Sequence, residues 1–201
     1  MQNKRSRVSA SIRQDEILRA TMELVYEKGL RTIRISDVAE TLGVSSGLVI
    51  YHFRTKDELL ATAFRFAAAN DLEKAAIISA EEIDPIKRII SILNWYAPSE
   101  QSRSWLLWID GWSAGRWNPK ITEALAEINE SWKQLLRLAI KEAVDNGWSP
   151  KYSIDQTATR FTIFTDGLSV AELTGPQEFT KSEANTWIEE FVSNEFTQKK
   201  L

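Results

Sequence analysis

Six helix-opening signals punctuate this chain, and they limit its fold more tightly than any other feature. Ser11 with Gln14, Thr55 with Glu58, Ser153 with Gln156 and Thr180 with Glu183 have the spacing of capping boxes. In that arrangement a hydroxyl and a side chain three residues later satisfy the first free amides of a helix. Asp84-Pro85 and Asn118-Pro119 put proline at a first helical position, where its missing N–H is no loss. Stops follow the starts. Gly29 closes a stripe of Ile17, Leu18, Thr21, Leu24 and Val25, Pro98 ends the helix opened at Asp84, and Gly147 closes the amphipathic run from Ile121 to Val144. A second long helix is expected from Thr55 to about residue 78. No segment of useful length alternates as a strand; "TIRIS" at 32–36 comes nearest but is short and has no partner. The predicted class is all-α.

At 201 residues the chain can bury one substantial core, or a small domain plus a larger one. No apolar run approaches the ~18 residues of a membrane span, so no membrane partner is expected. The first thirteen residues are basic but lack the apolar centre of a signal peptide. There is no cysteine, hence no disulfide framework and no thiolate metal site. These features predict a cytoplasmic protein with no metal and no cofactor. Charge is distributed unevenly: residues 1–56 hold ten Lys/Arg against six Asp/Glu, a net +4, while the rest of the chain is at −7. A basic head on an acidic body suggests that only the head meets a polyanion.

Within that head, "ISDVAETLG" reads as a two-turn helix with Ile35, Val38, Ala39 and Leu42 on its buried side. Gly43 and Val44 turn the chain, and Ser45 can cap a second short helix. Two short helices joined by a glycine-containing turn make a helix-turn-helix. On a 100° wheel, Val49, Ile50 and Phe53 face inward, while Gly47, Leu48, Tyr51 and His52 face outward. That outer side is where a recognition helix meets the major groove. Gly47 allows close approach, Tyr51 and His52 can donate to phosphates, and Leu48 can pack on a thymine methyl. Lys56 adds a phosphate charge at the next helix start.

The run "ISDVAETLGVSSGLVIYHFRTKDELL" resembles the DNA-binding segment of the TetR family of transcriptional regulators. The matching positions include Ile35, Asp37, Val38, Ala39, Gly43, Val44, Ser45, Gly47, Tyr51, His52, Phe53, Lys56 and Leu59. The resemblance implies a DNA-binding domain over residues 1–56 and a ligand-binding and dimerisation domain over 57–201. It also implies that a homodimer grips a double-stranded palindromic operator. The family usually has Thr or Ser near position 34; here Arg34 would bring a cation to phosphate and move the helix cap, with Ser36 the expected substitute. Ser46 stands where the family often has Lys. Ile50 and Leu48 also depart from the common residues, so the operator is this chain's own.

All eight tryptophans follow residue 94. Trp105, Trp108 and Trp112 share a 60° arc of one helix, Trp95 and Tyr96 end the helix before it, Trp132 lies in the next, and Phe161 and Phe164 line another. Aromatic residues at helical spacing commonly fill a core. As a cluster they can also line a pocket for a flat or cationic effector. A cation would call for a carboxylate from among Asp110, Asp166 and Glu172. Asp110 points away from the tryptophan arc and Glu172 lies on the Phe161/Phe164 side, which favours Glu172. "WLLWIDGW…NPKI" and "IFTDGLSV" resemble the C-terminal domain of the choline-responsive BetI-like subgroup. In such folds the last two helices, here about 155–174 and 181–197, pair across a dimer. The resemblance thus places Gly167, Leu168, Ala171, Trp187, Ile188 and Phe191 at that interface.

A ligand-controlled repressor is therefore the expected function. An enzyme is disfavoured: no catalytic residues suggest themselves, with no cysteine and the single histidine already claimed by the "YHF" corner. A helical adaptor that binds a protein instead of DNA is the alternative, and the basic head and Lys56 weigh against it.

Overall fold

The computed structural model describes residues 10–97, 104–176 and 178–198. Among them the order is α1 (Ala10–Lys28), α2 (Ile35–Leu42), α3 (Ser46–Phe53), α4 (Lys56–Ala80), α5 (Pro85–Tyr96), α6 (Ser104–Gly115), α7 (Pro119–Asp145), β1 (Trp148–Pro150), α8 (Ile154–Thr174), α9 (Lys181–Glu195) and β2 (Phe196–Gln198). The fold is all-α. The one addition is a three-residue antiparallel pair, β1 with β2, in the register Trp148–Gln198. It escaped the sequence because three residues are too few to show alternation.

Most of the opening signals act as their chemistry requires. The Thr55 hydroxyl accepts from Glu58 N–H at 3.1 Å. Asp84 caps α5 through the amides of Ile86 and Lys87, with Pro85 at the first position. Asn118 Oδ1 accepts from Lys120 N–H at 3.1 Å. Capping boxes open α8 at Ser153 and α9 at Thr180. Ser11 is a correction: α1 is already helical at Ala10, so Ser11 lies inside the helix rather than at its cap. Pro98, expected to end α5, lies outside the described residues; the helix stops at Tyr96.

The chain divides into two compact units, and α4, α6 and α7 each contribute residues to both. The first holds residues up to 67 together with 107–125. Its core takes Ile17, Leu18 and Val25 from α1, Val38 from α2, Val49 and Phe53 from α3, Leu59 and Phe64 from α4, and Trp108 and Ile121 from α6 and α7. The compact head is thus larger than the helix-turn-helix alone.

The second unit holds residues 68–106 and 126–201. In it α5 packs against both α8 and α9, and Ile89, Leu93, Leu136, Ile140, Phe161, Ile188 and Val192 fill the interior. Two arginines tie its helices. Arg160 on α8 makes a two-point contact with the buried Glu195 at the end of α9, at 3.0 and 2.8 Å. Arg88 on α5 pairs with Glu142 on α7 and donates to the Glu82 carbonyl.

Candidate nucleic-acid interface and ligand cluster

The turn before α3 is built by backbone chemistry. Gly43 adopts φ +63°, and its N–H reaches Glu40 O at 3.0 Å, while Val44 N–H reaches Ala39 O at 2.9 Å. Only a residue without Cβ sits in that left-handed conformation without strain. Ser45 then caps α3, its hydroxyl accepting from Leu48 N–H at 3.3 Å. Val49 and Phe53 are 0% and 2% exposed and anchor the helix. Tyr51 is 79% exposed, Gly47 is exposed, and Ser46, Leu48 and His52 are half-buried. The His52 ring meets Tyr51 edge-on at 5.3 Å.

Two placements differ from the sequence reading. Ile50, assigned to the inner face, is 46% exposed and joins the outer one. Its wheel position lies ~100° from Val49, and an eight-residue helix has room to bury only a narrow seam. Arg34, not Ser36, is the N-cap residue of α2. Here the Asp37 carboxylate accepts from Arg34 N–H at 2.9 Å, so the acid at the third position supplies the cap and no hydroxyl is needed. Arg34 and Ser36 both remain exposed. Lys56 is half-buried, and its ammonium donates to the Arg31 carbonyl at 3.1 Å.

In the second unit two buried indoles, one from α6 and one from α7, meet around a buried phenol on α5. Tyr96 packs edge-on to Trp105 at 5.2 Å and to Trp132 at 4.8 Å. Such pairs contribute about 0.5–1.5 kcal/mol each beyond the area they bury. Trp105 Nε1 donates to the Tyr96 carbonyl at 2.7 Å. Tyr96 Oη donates to Asp166 Oδ1 on α8, also at 2.7 Å. Burial, the Asp166 charge and that hydrogen bond all push the Tyr96 phenol well above its ordinary value, so it stays a donor. Burial likewise raises the Asp166 carboxyl, opposed by the Tyr96 hydrogen bond and by Lys133. Trp132 Nε1 is buried with no hydrogen-bond partner. The arrangement sets a half-buried acid against the hydroxyl of an aromatic cluster, chemistry that suits an organic cation.

The carboxylate at this cluster is Asp166, whereas the sequence favoured Glu172. Glu172 is half-buried six residues further along α8, about 9 Å at 1.5 Å per residue. Tyr96, Trp132 and Asp166 were each visible as residue types. Their meeting was not, because it joins positions 36 and 34 residues apart. Of the tryptophan arc, Trp105 belongs to the second unit. Trp108 and Trp112 belong to the first, where Trp108 meets the Phe64 edge at 5.4 Å. Trp95 donates to the Asp71 carbonyl at 3.0 Å and so ties α5 to α4. Phe161 and Phe164 contact Phe191 of α9, Phe164 stacking on it at 4.3 Å. They serve the α8–α9 seam, and Phe164 lies on the opposite side of α8 from Asp166.

Along α8, Ile163, Gly167, Val170 and Ala171 are exposed at helical spacing, and Leu168 is half-buried beside them. On α9, Trp187 is exposed and touches Phe179 at 5.1 Å, Phe191 is half-buried, and Ile188 is fully buried within the chain. Among the described residues no group of His, Cys, Asp and Glu could hold a metal ion, and no helix is long and apolar enough to cross a membrane.

Two family models account for most of the chain. One, for bacterial regulatory proteins of the tetR family, matches residues 17–63; the other, for the C-terminal domain of BetI-type transcriptional repressors, matches 85–197. The HTH-type transcriptional regulator BetI of Yersinia pestis (strain Pestoides F) is 22% identical over 192 residues, covering 94% of each chain. That of Proteus mirabilis (strain HI4320) is 25% identical over 192 residues, covering 90% of each. A Saccharomonospora viridis protein described as a transcriptional regulator, solved in complex with choline, superposes with a TM-score of 0.80. It is 23% identical, and the match covers 94% of this chain and 100% of that one. With the matched models spanning both the helix-turn-helix and the helical bundle, the chain belongs to the TetR family of transcriptional regulators and carries a BetI-type C-terminal domain.

Proposed function

We propose that this regulator is a repressor, a homodimer that grips a palindromic operator and releases it when a small organic cation binds the Tyr96–Trp105–Trp132–Asp166 cluster. The observation that carries this reading is the face of α3. Val49 and Phe53 bury the helix, which leaves Gly47, Ile50 and Tyr51 exposed toward solvent. Gly47 and Leu48 lie near base edges; Tyr51, His52, Lys56 and Arg34 supply phosphate contacts, with Ser36, Ser45 and Ser46 beside them. The exposed stripe Ile163, Gly167, Val170 and Ala171 provides the dimer face, with Leu168, Trp187 and Phe191 at its margin. Two heads are needed because successive major grooves repeat at about 34 Å.

The ligand half is supported by a half-buried carboxylate among aromatic rings and by the choline seen in the Saccharomonospora viridis relative. A quaternary ammonium would share Asp166 with the Tyr96 hydroxyl and stack its methyl groups on the rings. A coupling of about 1–3 kcal/mol between ligand and operator suffices for control. Selecting bound sites from random DNA with the purified protein, at two salt concentrations, tests the reading. A palindrome with steep salt dependence is expected. No enriched sequence, with weak binding even at low salt, contradicts it and favours a protein partner for the head.

A further inference from the structure

The loop joining α1 to α2, residues 29–34, is held by two side chains from outside the helix-turn-helix. Asp110 on α6 accepts from the Leu30 N–H at 2.8 Å, across 80 residues of sequence. Lys56, at the start of α4, donates to the next carbonyl, Arg31 O, at 3.1 Å. Leu30 is 2% exposed, so water does not readily replace the carboxylate at its amide. A carboxylate–amide bond is also roughly twice as strong as a neutral one.

The neighbouring geometry is fitted to this contact. Gly29 adopts φ +78°, and a Cβ there would come 3.2 Å from the same Asp110 oxygen. Glycine therefore suits both the left-handed turn and the close approach of the acid. One residue along α6, a Cβ at Gly111 would come 2.6 Å from the Phe64 ring of α4. The helix carrying Asp110 is thus seated against α4 with no slack, and all these residues belong to the first unit.

We infer that Asp110 is a positioning residue for DNA binding. Its carboxylate fixes the α1–α2 loop and thereby the angle at which α2 and α3 are presented, without touching DNA itself. The inference rests on the reading of α3 as the DNA-contacting helix, but not on the ligand's identity.

The test uses the full chain and the palindrome selected by the wild-type protein. Asp110→Ala, Asp110→Asn and Lys56→Ala are compared for operator affinity at several salt concentrations, with thermal unfolding measured in parallel. Asp110→Ala is expected to lose on the order of tenfold in affinity, the scale of a hydrogen bond to a charged group. Its salt slope stays at the wild-type value because no phosphate contact is removed. Asp110→Asn, whose amide oxygen can accept from the same N–H, returns to within about threefold. Lys56→Ala instead lowers the slope by about 1. A folded Asp110→Ala with a lowered unfolding midpoint but wild-type operator affinity overturns the inference, since the contact would then be structural only. Should Asp110→Ala fail to fold, Asp110→Ser is held to the same outcomes. If the wild-type protein itself selects no sequence, the reading of α3 fails and this inference falls with it.

Discussion

Tyr51 and Tyr96 carry the same side chain into opposite situations. Tyr51 stands on α3 with 79% of its surface exposed, whereas Tyr96, at the end of α5, is 7% exposed and donates to Asp166. An exposed phenol is solvated, and a phosphate oxygen can take the place of its water without leaving it unpaired. A buried one costs about 1–3 kcal/mol if left unpaired, so Asp166 must stay beside it. One region thus displays its chemistry on a rigid base. The other keeps a half-buried carboxylate paired to the hydroxyl of a buried aromatic cluster.

The largest expected effect breaks the rigid base. Phe53→Ala removes the ring that seats α3 and should destabilise the head by about 3–5 kcal/mol. Thermal unfolding should report it, along with loss of operator binding. Asp166→Asn probes the stored acid next. Its folded pKa is raised above the ordinary carboxylate value, so the free protein loses stability as pH rises from that ordinary value through the raised one. An asparagine does not titrate and still accepts from Tyr96. Asp166→Asn should therefore unfold at a higher temperature than wild type at pH 7 and show no added stabilisation by choline. In the wild type, choline should bind more tightly as pH rises through the same window; pH-independent binding would remove Asp166 from the site. Tyr51→Ala should weaken operator binding by about tenfold, ~1.4 kcal/mol, across sequences, with little change in salt slope. Leu48→Ala has the smallest effect: a relaxed preference of about 1 kcal/mol or less at one base-pair position, read by repeating the site selection. An unchanged preference would remove Leu48 from base readout.

The two regions also differ in how far they can be read without coordinates. The head is local: Gly43, the Ser45 cap and the Val49/Phe53 seam lie within eleven residues, so periodicity and capping chemistry expose it. Where that reading failed, at Ile50 and at the α2 cap, the deciding quantities were the width of the buried seam and an acid three residues on. The proposed ligand cluster is tertiary. Tyr96, Trp105, Trp132 and Asp166 lie on four helices, and a wheel drawn for one helix groups Trp105 with Trp108 and Trp112 instead. Glu172 shares the Phe161 face, but that face turns to α9. Asp110 was visible as pointing away from the tryptophan arc; only the fold shows that it points to Leu30.

The proposed control runs from a cation at the Tyr96–Asp166 cluster to the grip of α3 on DNA. The direct measurement is a choline titration of wild-type protein and Asp166→Asn bound to the selected palindrome, followed by fluorescence anisotropy of the labelled DNA. Choline should weaken operator binding by the wild-type protein on the order of tenfold, about 1.4 kcal/mol of coupling, and leave Asp166→Asn bound. Operator affinity that does not change with choline in the wild type, or that changes equally in Asp166→Asn, would contradict control through Asp166.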